Sequence, residues 1–276
     1  MFDTENYHEL ICLLREFFVA RGFKEVPTQS RLSILAACEN PHSVATFMYN
    51  GLVWPLPQTG QMWLEYELLK NPEWPGVFCV STSYRDEKTP IAGRHEKIFP
   101  MFEFESRGSM KELEALEAAL LAHLGFPAPV VVDYNTVCAE YGGVDILEDE
   151  HEGCMWREKG ACVSLQNFPL RTSPFWNMKP ASAAGDLFNK IDMIMYGQET
   201  IGSAERSCDP DGMRKMFYSI TEGGYAAKLF ELFGKERVEA ELDEFLKFDF
   251  FPRFGAGIGL TRLARAWTLL KSKETQ

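Results

Sequence analysis

Apolar side chains recur with the helical period near the start of the chain, at Leu10, Leu13, Leu14, Phe17 and Phe18, and predict a helix over 6–21. Gly22 follows where a helix C-terminus favours a left-handed residue. "FKEVPTQ" reads as a short extended segment ending near Pro27. Two strands, "VFCVSTSYRDE" (77–87) and "KIFPMFEFES" (97–106), flank the turn-rich "KTPIAGRH" and predict a hairpin. Alternation sets Arg85, Glu87, Glu103 and Glu105 on one face of that hairpin and Phe102 and Phe104 on the other, a charged face suited to a pocket floor.

Further along, the pattern predicts a helix over 110–124, a strand over 129–133, a helix-rich stretch over 136–152 with the acidic run "LEDEHE", and a strand over 161–168. "NKIDMIMYGQETIGSAER" (189–206) reads as two strands turning near Gly197, and 211–219 and 225–247 as mainly helical. The end, "RFGAGIGLTRLARAWTLL", is a glycine-bent strand running into a helix with Leu260, Leu263, Trp267 and Leu270 on one face. No repeat, low-complexity tract or linker interrupts this order. The expectation is a single α+β domain over 1–276 around a mainly antiparallel sheet.

Composition narrows the class. With 46% hydrophobic and 13% aromatic residues, 276 residues can bury a sizeable core. No apolar run approaches the roughly 18 residues needed to cross a bilayer, and "MFDTENYHEL" is acidic where a signal peptide would be basic, so no membrane partner and a cytoplasmic location are expected. Seven cysteines at irregular spacings do not make a disulfide framework. His151, Cys154 and Cys162 raise a zinc question, but they lack a fourth ligand and buried free thiols fit better. A net charge of −12 argues against a broad nucleic-acid surface while leaving room for a local basic groove.

Three features carry chemistry. Gly257 and Gly259 superficially match a dinucleotide-binding turn, but too little chain follows to complete a βαβ unit. Arg262 sits in the first turn of the last helix, where the dipole disfavours a cation, so it calls for either a bound anion or a surface carboxylate. Asp192 and Glu199 lie seven apart across the Gly197 turn, as magnesium ligands would, or as ordinary solvated acids.

These residues carry a resemblance. "YRDE", the "RH" at 94–95 and "FPMFEFE" resemble the second motif of class II aminoacyl-tRNA synthetases, "GIGLTR" (257–262) the third, and the first helix with "GFKEVPT" the first. "LPQTGQMWLE" (56–65) and "ETIGSAER" (199–206) resemble the aspartyl/asparaginyl subgroup, and "VFCVSTSYRDE" is especially similar to asparaginyl-tRNA synthetases. The resemblance implies that family's catalytic fold, a six- to seven-stranded antiparallel sheet flanked by helices. It also implies a homodimer through the N-terminal helix and strand, and a reaction in which ATP with Mg2+ activates an amino acid to an aminoacyl adenylate.

By the same resemblance Arg85 would hold the α-phosphate and the attacking carboxylate, and Glu87 the adenine amino group. Phe99 would stack on adenine, Arg94 and His95 would reach the outer phosphates, and Arg262 would clamp the γ-phosphate. Asp192 and Glu199 would hold the metal, Gln61 the α-amino group and Arg206 the side-chain oxygen, with Ser203 and Glu150 on the pocket wall. Glu103 and Glu105 would orient Arg85 or pair with it.

Two departures qualify the implication. Leu64 stands where aspartyl-type enzymes carry a lysine, which fits a neutral, asparagine-like substrate side chain better than aspartate. The family's anticodon-binding barrel precedes the first motif, yet here that motif begins within about ten residues of Met1, so specific tRNA reading is not expected. Three readings stand: a ligase passing the activated amino acid to ammonia or another amine, a minimal synthetase charging tRNA by its acceptor end, and a non-catalytic amino-acid-binding regulator.

Overall fold

The computed structural model describes residues 4–28, 32–35, 39–89, 96–182 and 184–274. In chain order the elements are α1 (Thr4–Ala20), β1 (Lys24–Glu25), β2 (Thr46–Tyr49), β3 (Leu52–Pro55), α2 (Gln61–Lys70), β4 (Gly76–Tyr84), β5 (Ile98–Arg107) and α3 (Met110–His123). They continue with β6 (Val130–Asp133), α4 (Tyr134–Glu140), α5 (Asp149–Lys159), β7 (Cys162–Pro169), β8 (Leu187–Met195) and β9 (Gln198–Arg206). The chain closes with α6 (Pro210–Ser219), α7 (Gly224–Phe233), α8 (Lys235–Phe245), β10 (Arg253–Gly259) and α9 (Leu260–Glu274).

Eight strands form one sheet in the order β1-β4-β5-β10-β9-β8-β7-β6, and β2 and β3 pair separately. Only the outermost pairs, β1 with β4 and β6 with β7, are parallel. The α+β class and mainly antiparallel plan match expectation, and the sheet is one or two strands wider than the six or seven implied, because the short β1 and β6 extend both edges. The helix-rich stretch over 136–152 is two helices, α4 and α5, and the acidic run opens the second. No helix among the described residues is long and apolar enough to cross a membrane.

Alternation along the strands sorts the sheet into two faces. Phe78, Phe102, Phe104, Phe254, Ala256 and Ile258 point to one side and are packed under α1, α3 and α9. Phe18 of α1 anchors this layer, with ring centroids 5.9 Å from Phe78, 5.1 Å from Phe102 and 4.8 Å from Phe104. Truncating such a residue to alanine costs about 3–5 kcal/mol. Gly22, at φ +81°, ends the chain's first helical excursion as its position predicts.

One group in this apolar layer is out of character. Glu117 of α3 is buried, neither carboxyl oxygen has a well-aligned hydrogen bond, and it faces Ser203 of β9. Burial pushes its carboxyl from the ordinary 4.5 up to about 8, against the lowering influence of the Ser203 hydroxyl. A carboxyl raised in the folded state contributes its full stability below the unfolded value and loses it as pH climbs through the folded one. Glu117→Gln should therefore melt well above the parent at pH 9 and close to it at pH 5, as circular dichroism can follow. A gap that ignores pH would mean the carboxyl does not titrate in this window.

Candidate functional site

The other face of the sheet is polar, and register lines its residues into rows. Asp192, Gly202, Gly257, Glu103 and Cys79 are successive cross-strand partners, and so are Lys190, Ala204, Gly255, Glu105 and Val77 in the next row. Arg206 and Arg253 pair beyond them. Bare β10 makes this possible: a Cβ on Gly255 would lie 1.8 Å from Glu105 Oε1, so the missing side chain leaves the channel through which Glu105 crosses to β9.

At that end the charges satisfy one another. Arg206 Nη2 donates to Glu105 Oε1 at 2.5 Å and to Gln61 Oε1 at 3.1 Å, while its Nε donates to Glu105 Oε1 at 3.2 Å. Arg253 grips Glu65 Oε2 through Nε at 3.0 Å and Nη2 at 2.7 Å, and Asn177 Nδ2 donates to Glu65 Oε1 at 2.6 Å. All of these side chains are buried. Burial pushes the Glu105 carboxyl up to about 7, with Arg206 pulling it down and Glu65 pushing it further up. Glu103 accepts from Gly60 N at 2.8 Å, from Ser81 Oγ at 2.5 Å and from the Thr59 hydroxyl. Its carboxyl is raised by burial, and those three donors hold it down only in part.

The same face opens into a cleft of about 360 Å³ towards the other end of the strands. Arg85, Phe99, Met101, Glu199, Gly257 and Arg262 are among its walls. Arg85 lines the cleft, its guanidinium 5.2 Å from the Phe99 ring centre, and its buried Nε has no hydrogen-bond partner among the described residues. Arg262 Nη1 donates to the Glu199 carbonyl at 2.6 Å. Two guanidiniums on one cleft can grip a polyanion from both ends.

Behind Glu199 lies Asp192, and the Cβ that Gly202 lacks would sit 2.9 Å from Glu199 Oε1 and 3.7 Å from Asp192 Oδ1. Asp192 Oδ1 is buried without a hydrogen-bond partner. A pair of hard oxygen donors with an orphaned atom fits a divalent cation such as Mg2+. Burial raises the Asp192 carboxyl to about 7, with Lys190 lowering it and Glu199 raising it, since the carboxylates outnumber the ammonium beside them.

Of the expected site residues, Arg85, Phe99, Glu199 and Arg262 share the cleft. Glu87 lies 3.9 Å from Arg85, Asp192 adjoins Glu199, and Gln61 and Arg206 meet at the closed end. Arg94 and His95 lie outside the described residues. Three expectations need correction. Ser203 faces the apolar layer, because it follows Gly202 and alternation turns it away; its hydroxyl donates to Ile191 O at 3.4 Å. Glu150 is exposed on the outer side of α5, beside His151 and Cys154, whereas Asp149 and Glu152 line the cleft one helical face round. Glu103 and Glu105 do not hold Arg85; they bind the turn before α2 and Arg206. On the zinc question, His151, Cys154 and Cys162 do not converge: Cys162 is in the core, and among the described residues no trio of His, Cys, Asp or Glu could hold a metal.

Glu65, Arg253 and Lys190 were not anticipated from the sequence. Gln61, Leu64, Glu65 and Leu68 follow the helical period, which could have flagged α2 and its buried glutamate. Lys190, two before Asp192 on a strand, shares its face by the same rule.

Comparison with known proteins shows the family and the fold. Residues 4–274 match the model of the class II tRNA synthetases (D, K and N). Cytoplasmic aspartate–tRNA ligases of Mus musculus and Rattus norvegicus are each 26% identical over 294 aligned residues, covering 92% of this chain and 55% of theirs. The chain thus spans about half the length of the curated relatives it matches. Among solved structures, asparaginyl-tRNA synthetase from Pyrococcus horikoshii, complexed with asparaginyl-adenylate, superposes with a TM-score of 0.79 at 19% identity, over 97% of this chain and 65% of that one. The Entamoeba histolytica asparaginyl enzyme with the same adenylate gives 0.75 at 17%, over 95% and 63%. These likenesses show the shared fold.

Gly255→Ala tests the crossing of Glu105 beneath β10. The added methyl forces Glu105 off Arg206 and strands a buried guanidinium, so urea unfolding should show a loss of about 3–5 kcal/mol. A loss below about 1 kcal/mol would show that the pair shifts aside intact.

Proposed function

Since the chain belongs to the class II tRNA synthetases of the aspartate, lysine and asparagine group, we propose that it activates an amino acid with ATP. The observation that carries this reading is the sharing of one cleft by Arg85 and Arg262 beside the Asp192–Glu199 pair. In it, Arg85 holds the α-phosphate and the amino-acid carboxylate together, and its orphaned Nε finds an acceptor. Phe99 stacks on the adenine, Glu87 accepts from its amino group, and Arg262 takes the γ-phosphate. Asp192 and Glu199 hold Mg2+, which neutralises phosphate charge when bound.

A carboxylate oxygen of the amino acid then attacks the α-phosphorus, the bond to the β-phosphate oxygen breaks, and pyrophosphate leaves. No side chain acts as nucleophile; the protein positions the reactants and stabilises charge.

Gln61 receives the α-amino group and Arg206 the side-chain oxygen. Because Glu105 already balances Arg206, a substrate carboxylate would enter without a free counter-charge, so a carboxamide side chain suits the closed end better than aspartate.

For the second half-reaction we favour ammonia or a small amine as acceptor, since a net charge of −12 gives little attraction to a polynucleotide. The amine nitrogen attacks the acyl carbon, AMP leaves with the bonding pair, and the nitrogen loses its proton to solvent. Charging of tRNA through its acceptor end is the second reading, supported by the family itself. We further propose a cytosolic homodimer through α1 and β1, the strand at one edge of the sheet.

Arg85→Ala should abolish amino-acid-dependent exchange of pyrophosphate into ATP, and near-normal exchange would refute the assignment. Across the twenty amino acids, asparagine should support exchange better than aspartate by about tenfold or more, as expected when one charge lacks a partner. AMP release with ammonium or amines but not with bulk tRNA would select the first acceptor reading, and stable charging of tRNA the second.

A further inference from the structure

Lys190 sits where an acid pair awaiting a metal has no need of a cation. It occupies the row next to Asp192 on β8, on the same face, and its Nζ is 2.8 Å from Asp192 Oδ2. The ammonium also lies 3.9 Å from the centre of the Phe168 ring, a second contact that holds it in place. Lys190, Asp192 and Glu199 also line a second chamber of about 320 Å³, which shares Glu152 and Glu199 with the main cleft. Lys190 therefore stands inside the volume that a metal between Asp192 and Glu199 would adjoin. The two oxygens of Asp192 are in opposite states: Oδ2 is held by the ammonium, and Oδ1 is buried with no partner.

We propose that Lys190 is a built-in competitor of the divalent cation at Asp192, so that the acid pair binds metal weakly on its own and firmly only with a triphosphate. The inference rests on the assignment of Asp192 and Glu199 as metal ligands. Its physics is direct: a cation on Oδ1 is repelled by the ammonium on Oδ2, and both compete for the same carboxylate charge. An arriving triphosphate supplies further anionic oxygens, which offset that repulsion and give the ammonium a second acceptor. The free protein meanwhile keeps the buried Asp192 carboxylate partly neutralised without metal.

The test is Mn2+ titration of the full chain without nucleotide, followed by the electron paramagnetic resonance of the free ion. Lys190→Met should tighten Mn2+ binding by about tenfold or more, because a like charge in contact with the ligand has been removed. Lys190→Arg, which keeps the charge, should stay within about threefold of the parent. Adding Asp192→Asn to Lys190→Met should erase the gain, and a non-hydrolysable ATP analogue should narrow the gap between parent and Lys190→Met. Equal or weaker binding by Lys190→Met, or a gain that survives Asp192→Asn, overturns the proposal. Lys190→Gln, a milder change, replaces Lys190→Met should circular dichroism show the latter unfolded. Failure of the amino-acid activation reading registers elsewhere: the parent would lack pyrophosphate exchange while the Mn2+ results stood.

Discussion

The crossing of Glu105 beneath Gly255 to reach Arg206 is the contact on which the site depends. It joins β5 to β9 over the bare middle strand β10, and it can form only because no side chain rises from Gly255. Breaking a buried pair of this kind costs about 3–5 kcal/mol, because the surviving partner is left charged in a low-dielectric setting. The pair thus fixes the floor of the closed end as firmly as the phenylalanines beneath fix the sheet. Arg253 and Glu65 repeat the arrangement between β10 and α2, which ties the helix carrying Gln61 to the same floor.

From this floor the polar face grades in charge. At the closed end each guanidinium already meets a carboxylate, so little net charge faces a newcomer. Towards the open end Arg85 keeps an unsatisfied donor, and Asp192 keeps an unsatisfied acceptor on the far side of Glu199. Unsatisfied groups are costly to bury, and a fold tolerates them where a ligand will complete them. The gradient suits a polyanionic group at the open end and a neutral one at the closed end.

Much of this was legible in the sequence, because the periodicities are strong and the motif residues fall on strands with plain alternation. The helix over 6–21, the hairpin at 77–106, the turn at Gly197 and the strand-to-helix switch before Arg262 all followed from local pattern. Ser203 and Glu150 were misplaced for different reasons. Strict alternation from Gly202 sends Ser203 to the apolar face, and it would send Glu199 there as well. The pairing slips between Met193 and Ile194, and this irregularity releases Glu199 into the cleft. A bulge depends on how two strands meet, and neither strand's own pattern announces it. Glu150 is a matter of helical phase: once α5 starts at Asp149, residues 149 and 152 share a face and 150 does not. The closed-end pairs were illegible because Glu65, Glu105, Arg206 and Arg253 are far apart in the chain and meet only through the sheet order.

The two internal counter-ions, Glu105 on Arg206 and Lys190 on Asp192, point to a common rule for this site. Arg206 and Asp192, both expected to contact a ligand, are each already paired with a residue of opposite charge. The free protein consequently avoids the large cost of isolated buried ions. Ligand binding is then an exchange of partners, and its net gain is the small difference between two good contacts. A site built this way discriminates by the quality of replacement: a ligand group that cannot better the internal partner gains nothing by displacing it. The proposed selectivity for a neutral side chain at Arg206 and the proposed weak metal binding at Asp192 would both follow from this one electrostatic arrangement.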